Sequence, residues 1–352
     1  MDEIARFEIP LSPGDRPISL AWLRDDLVDW VNGRTTCRLN GGLCVRPFSM
    51  GRFTYRFDRA QTGPGGEHFA VFENLGTKGV LGRRDDARGL QVLREIDRSF
   101  YCANAYEYPI ALLNIPDCPP LIVHCPDSYC RLECENLVSG ECLTRRDTEP
   151  ADFFHSRLQT HPRGQHVLDA GWVWHPADWI KLFDMREALR CPSYLDGRGD
   201  PAFQEALESR FGLQWDDHVS GAFLDPGTLV VASARDVDPP DDAPEPKDLI
   251  LTPGNVGRYH IASGAFDSVA TLEEVAGELM PVEGHVVGFY DHPKLVELAT
   301  GQVLRRWPEL NTGRKVSSII GGLGPQPLVC PDVEGRRFAV VGDDKITVIQ
   351  LG

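Results

Sequence analysis

Three features of this sequence predict an all-β chain folded as a ring of small repeated sheets, a β-propeller. Short β-rich runs recur at intervals of 42 to 62 residues. Several segments place a glycine turn between two apolar runs. Helical periodicity is nearly confined to one stretch, which excludes a helical solenoid. Together they predict seven blades of four antiparallel strands, forming a single propeller domain over residues 1–352.

Taken in order, the runs begin at Leu27, Phe69, Leu121, Val167, Leu229, Val286 and Phe338. Each is four to six residues rich in Val, Leu, Ile or Phe and is preceded by a turn with Gly, Pro or Asp. Glycine hairpins follow at 37–45 (CRLNGGLCV), 131–145, 258–269 and 294–307 (KLVELATGQVLRRW). A four-stranded sheet is too thin to bury both faces alone; packed between two neighbours it can, and a closed ring leaves no terminal sheet. The chain ends in KITVIQLG (345–352), the third strand of its last unit, while RFEIPL (6–11) is strand-like and has no unit of its own. The N-terminal strand is therefore expected to supply the missing outer strand and close the ring.

Two insertions interrupt the pattern. Within 184–214, Asp200 and Pro201 read as a helix start, Phe203, Ala206, Leu207 and Phe211 share one face, and Gly212 ends it. Residues 235–248 hold four prolines and many carboxylates and read as an acidic loop solvated by its own charge.

The LVELATGQVLRRW pattern and EGRRFAVVGDDKITVIQL (334–351) resemble WD-repeat and related bacterial propeller proteins. The resemblance spans nearly the whole chain, but the Trp-Asp dipeptide of true WD repeats is missing at the expected strand ends. It implies the fold and a protein-binding scaffold role, without implying a reaction.

Composition narrows the partners. The formal net charge is −16, which disfavours nucleic acid and anionic membrane and permits a basic protein. The N-terminus MDEIARFEIPL has acidic residues and no apolar core, and no run approaches a membrane span. A cytoplasmic location follows as the expectation, with the ten cysteines as reduced thiols.

In a propeller, loops joining second to third strands emerge on the same face as the connections between blades. This places 73–79, 124–130, 171–179, 289–293, 342–345 and 99–109 around one mouth of the channel. The segment GWVWHPADW (171–179) packs three tryptophans into eight residues. Trp and Tyr are amphipathic and dominate binding hot spots. The expected partner-binding set is Trp172, Trp174, His175, Asp178, Trp179, Tyr101, Tyr106, Tyr108, Tyr290 and Asp291. The competing reading is that Trp172 and Trp174 wedge between blades and Trp179 packs under the following helix.

His124, His175 and His292 also fall on these loops and are the candidates for a catalytic metal. Their unequal offsets from the strand starts do not require convergence. The five cysteines of 118–142 lack Cys-x-x-Cys knuckles and read as packing. No nucleophile elbow, phosphate loop, dinucleotide fingerprint or H-E-x-x-H helix is present. The sequence thus favours a non-catalytic, protein-binding propeller without a cofactor, in its most specific form neutralising or regulating a basic partner as immunity proteins do. The alternative is a metal-assisted hydrolase or lyase at the channel mouth.

Overall fold

A computed structural model of the chain describes residues 1–12, 14, 16–32, 34–38, 55–85, 89–174, 177–237 and 250–352. The N-terminal strand β1 (Glu3–Pro10) comes first, followed by six sheets, each cut from one continuous stretch. Sheet I holds β2 (Ala21–Leu23), β3 (Asp26–Asp29) and β4 (Arg34–Arg38). Sheet II holds β5 (Arg59–Thr62), β6 (His68–Phe72), β7 (Lys78–Asp85) and β8 (Gly89–Asp97). Sheet III holds β9 (Ile110–Leu113), β10 (Leu121–His124) and β11 (Glu133–Asn136); sheet IV holds β12 (Gln159–Thr160), β13 (His166–Val173) and β14 (Ala177–Asp184). Sheet V holds β15 (Asp217–Asp225), β16 (Thr228–Val237), β17 (Ile250–His260) and β18 (Ala265–Thr271). Sheet VI holds β19 (Leu279–Val282), β20 (His285–Gly288), β21 (Lys294–Glu297) and β22 (Val303–Arg306). A composite closing sheet has the order β1, β25 (Lys345–Leu351), β24 (Arg337–Val341), β23 (Val329–Asp332).

The expectation of seven equivalent four-stranded blades is therefore corrected. The continuous units number six, the closing sheet is composite, and sheets I, III and IV have three strands among the described residues. Each shortfall has its own cause. Sheet III continues past β11 only as a single bridge, Glu135 to Cys142. The residues after β4, including most of the 37–45 hairpin, lie outside those described. Sheet IV has its outer edge covered by the helical insertion instead of a strand. Asp200 N–H donates to Leu182 O at 2.7 Å, and Gln204 Nε2 donates to Ile180 O at 3.0 Å. The carbonyls that a fourth strand would have paired are thereby satisfied.

The insertion forms as its caps dictate. Asp184 starts α1 (Met185–Arg190), accepting from Arg186 N–H at 2.8 Å. Asp200 starts α2 (Pro201–Ala206), accepting from Phe203 N–H at 2.8 Å, with Pro201 in the first turn. A widened turn over Leu207–Phe211 ends at Gly212, φ 78°. Phe203, Ala206, Leu207 and Phe211 are buried between sheets IV and V.

All seven predicted β-rich runs fall on the second strand of a sheet, and Leu27, Phe69, Leu121, Val167, Leu229, Val286 and Phe338 are fully buried. Strands covered on both faces read as unbroken apolar runs. First strands of successive sheets touch one another around the centre, as β2 does β5 and β12 does β15. Apolar clusters fill the spaces between consecutive sheets, from I–II through to VI–closing and closing–I. This radial array is a β-propeller. The third-strand hairpins turn on Gly140, Gly264 and Gly301, at φ 76°, 63° and 74°, where a side chain would be strained.

Ring closure joins the chain ends. β1 pairs antiparallel with β25, Phe7 opposite Val348. Glu3 adds side-chain bonds to sheet VI, accepting from Arg305 Nη2 at 2.6 Å and Trp307 Nε1 at 2.8 Å. No helix among the described residues is long and apolar enough to cross a membrane.

Candidate functional site

The upper face, where second-to-third strand loops and inter-sheet connections emerge, carries a cluster of six aromatic rings above sheets III and IV. Tyr106, Phe154 and Trp172 are its buried floor. Phe154 stacks on Trp172 with centroids 3.8 Å apart and planes 9° apart. Backbone bonds lock this pair, Phe154 N–H to Trp172 O at 2.8 Å and Trp172 N–H to Phe154 O at 3.1 Å. The approach is so close that a Cβ on Gly171 would lie 2.0 Å from Phe154 O, so the position requires glycine. Tyr129 stacks on Phe154 at 4.2 Å, and Trp174 meets Phe154 edge-on at 5.3 Å. Tyr101 lies 5.1 Å from Tyr129 and 6.3 Å from Trp174. These two rim rings remain exposed, Tyr101 at 42% and Trp174 at 45%, and the adjacent Phe100 is 86% exposed.

Arg98 holds the 99–109 connection from beneath. Its guanidinium lies 4.6 Å from the Tyr106 ring and 4.9 Å from the Tyr108 ring. It donates to Gly76 O, Asn74 O, Ala103 O and Tyr106 O. Burial lowers its pKa and drives both phenols upward. Tyr129, hydrogen-bonded to Asp152 at 2.9 Å, is pushed up to about 12 by burial and then by that carboxylate.

The channel mouth beside the cluster is crossed by the 307–328 connection. This segment links sheet VI to the closing sheet, which are neighbours in the ring, yet it reaches the far side. Ile320 and Gly321 N–H both bond Ala105 O at 2.9 Å, Tyr106 bridges Ile319, and Ser317 Oγ donates to Asp178 at 2.7 Å. Lys315 is held between Glu107, at 2.7 Å, and Glu278. Desolvation opposes its charge, but the two carboxylates outweigh this and raise its pKa. A cavity of about 140 Å³ remains below, lined by Arg59, Glu107, Glu278 and Lys315 among others.

A second polar group sits between sheets IV and V. Asp178 accepts from Ser317, faces His218 Nδ1 at 3.2 Å and lies 3.9 Å from Arg157. The other His218 nitrogen faces Asp236 at 3.2 Å. Ser317 and His218 both bond the carboxylate, so the Ser317 hydroxyl is not aligned on the imidazole for nucleophilic work.

The expected residues separate into groups. Trp172, Trp174, Tyr101 and Tyr106 converge in the cluster. Tyr108 is buried and faces Phe72 between sheets II and III. Asp178 is buried in the polar group. Trp179 lies on the outer side, donating through Nε1 to Gln204 at 2.7 Å under the helical insertion. Tyr290 and Asp291 are on the β20–β21 loop, where Asp291 takes φ 67° and bonds Gly313 O through its N–H at 2.6 Å. His175 lies outside the described residues. His124 ends β10, buried 3.3 Å from Glu135, and His292 lies beside Asp291 at 3.7 Å. Among the described residues no three His, Cys, Asp or Glu side chains are placed to hold a metal. Sequence reasoning missed Phe154, Tyr129, Phe100 and the crossing segment as site components. The signal for Phe100 and Tyr129 is their place in the 99–109 and 124–130 loops, both expected on this face.

No protein-family model matches the sequence, and no curated protein matches it either. Solved structures do. A chain of Kuenenia stuttgartiensis hydrazine synthase is similar over 99% of this chain and 98% of its own, at TM-score 0.57 and 12% identity. A chain of a mitotic checkpoint complex is similar over 99% and 91%, at 0.55 and 7%. Sqt1 from Chaetomium thermophilum is similar over 95% and 82%, at 0.53 and 15%. At these identities the likeness is one of fold. These neighbours share the propeller architecture described above.

Proposed function

We propose that the chain acts as one non-catalytic, protein-binding propeller that engages its partner through the upper face. The observation that carries this reading is the aromatic cluster. Its floor is packed, while Tyr101, Trp174 and Phe100 are left in solvent beside a closed channel mouth. Large rings left exposed over a rigid base are the composition of a binding hot spot. Tyr290 and Asp291 extend the same face towards sheet VI. The net charge of −16 selects a basic partner, neutralised or regulated in the manner of immunity proteins, in the cytoplasm. The similarity of fold to a chain of a mitotic checkpoint complex fits a role in assembly.

A photo-crosslinking amino acid placed at Phe100, and separately at Arg336 on the opposite face, tests the reading in cells of the native source. A discrete protein adduct from position 100 is expected. Adducts from position 336 alone would overturn the upper-face assignment.

A further inference from the structure

We infer that the outer half of the aromatic cluster recognises an arginine side chain of the partner; this rests on the protein-binding reading above. Three observations point to a guanidinium. First, Tyr101 and Trp174 stand nearly perpendicular, 74° apart with centroids at 6.3 Å, and each is close to half exposed. They form a corner of ring surface open to solvent, and Phe100 adjoins it in the chain. Ring faces attract cations, Trp most strongly.

Second, a carboxylate is fixed beside the corner, and others are exposed nearby in the chain. Asp152 is exposed and accepts the Tyr129 hydroxyl at 2.9 Å, so one charge is fixed against the ring group. Asp127, two residues before Tyr129, is exposed, as are Asp147 and Glu149 on the 144–153 connection. Two arginines of this region are already occupied. Arg146 pairs with Glu133 at 3.1 Å and Asp196 at 2.7 Å, and Arg131 donates to Thr148 O at 2.7 Å. Arg145 is exposed. Among the charged residues of 127–152, exposed carboxylates outnumber exposed guanidiniums.

Third, the cluster already binds one guanidinium on its inner side. Arg98 lies over Tyr106 and Tyr108 while its N–H groups reach four carbonyls. The outer corner offers the same combination of ring surface and oxygen acceptors. A planar guanidinium can stack on a ring and fork towards a carboxylate at once; a lysine ammonium is a compact, strongly hydrated point charge and cannot. Arginine is therefore expected to be preferred to lysine at equal charge.

The test titrates the full chain with two amidated probes, Gly-Arg-Gly-Arg-Gly and Gly-Lys-Gly-Lys-Gly, at low salt. Calorimetry gives affinity, and the Trp174 indole N–H resonance reports location. The arginine probe should bind about fivefold more tightly and shift the Trp174 signal. The preference should vanish in the Tyr101→Ala/Trp174→Ala double variant and return in Tyr101→Phe/Trp174→Phe, which keeps the rings. Asp152→Asn should weaken the arginine probe about twofold to threefold. Equal affinity for both probes, or a preference that survives the double alanine variant, overturns the arginine assignment. Crosslinks confined to position 336 would instead remove the upper-face reading itself, so the two failures are distinguishable.

Discussion

The two mouths of the channel are both crossed by charged side chains, but in opposite surroundings. At the upper mouth, Lys315 sits largely out of solvent between Glu107 and Glu278, on a segment bonded to the far side of the ring. At the lower mouth, Arg163 of sheet IV reaches Glu334 of the closing sheet at 3.2 Å, and Arg336 reaches Glu283 at 3.3 Å. A cavity of about 350 Å³ lies there, bordered by these side chains and His161. The lower pairs are well exposed, Arg163 at 72% and Glu283 at 81%. Water screens them, and their worth is correspondingly small. The contrast teaches that the same chemistry holds the fold at one end and decorates it at the other. Burial decides which.

Four tests sharpen the contrast. The largest effect is expected from Trp172→Ala. It removes a 3%-exposed ring stacked on Phe154 and should cost about 3–5 kcal/mol in denaturant unfolding. Trp174→Ala, two residues on and half exposed, should cost about 0.5 kcal/mol or less. A similar cost for both would mean that the cluster has no packed floor. Next comes Lys315→Met, which leaves Glu107 and Glu278 without their shared cation. We expect a loss of about 2 kcal/mol, below the full cost for a sealed pair because Glu278 keeps 44% of its side chain in solvent. Neutralising both carboxylates together with the lysine should recover part of the loss. No recovery would place the defect in the crossing segment itself.

The third is a pH effect. Burial disfavours charged His218, but its bonds to Asp178 and Asp236 prevail, so its pKa in the folded chain lies above the ordinary 6.5. A raised folded pKa means the stabilisation is fully present below 6.5 and is lost as pH rises through the folded value. Unfolding free energy should therefore fall from pH 6.5 upward in the wild type. His218→Gln should flatten that slope. An identical slope in the variant would assign the dependence to another group.

The same distinction between local and remote interactions governs what could be read from the sequence. Buried second strands announce themselves, since Phe69–Phe72 and Leu121–Val123 must be apolar on both faces. The helix at Asp200 carries its cap, its proline and its terminal glycine within thirteen residues. Closure by β1 followed from an unpaired strand at each end. Strand number did not follow, because nothing in the 184–214 segment reveals that it replaces a fourth strand. Nor did the fates of the tryptophans. Trp172 and Trp174 share the parity of one strand face, and only the end of β13 at Val173 separates buried from exposed. His124, which reads as a loop residue, ends β10, diagonal to Glu135. The crossing segment SSIIGGLGPQP (317–327) has no periodicity. Its partners Ala105, Tyr106 and Asp178 are more than 130 residues away in the chain, so only the folded ring brings them into view.

The smaller of the two charge-pair effects is expected at the lower mouth, from Arg163→Ala. Its partner Glu334 is 48% exposed, and the cavity behind it opens to water. Removing the pair gives up a screened attraction and frees a long side chain, so the two terms nearly cancel at about 0–1 kcal/mol. Raising the salt concentration should shrink even this difference, since exposed pairs weaken within a Debye length of about 10 Å at 0.1 M. Lys315→Met, by contrast, should keep most of its cost in high salt. Measuring both variants by urea unfolding at low and high salt separates the two mouths directly. A large, salt-resistant loss for Arg163→Ala would show that the lower crossing is as structural as the upper, and the distinction drawn between them would fail.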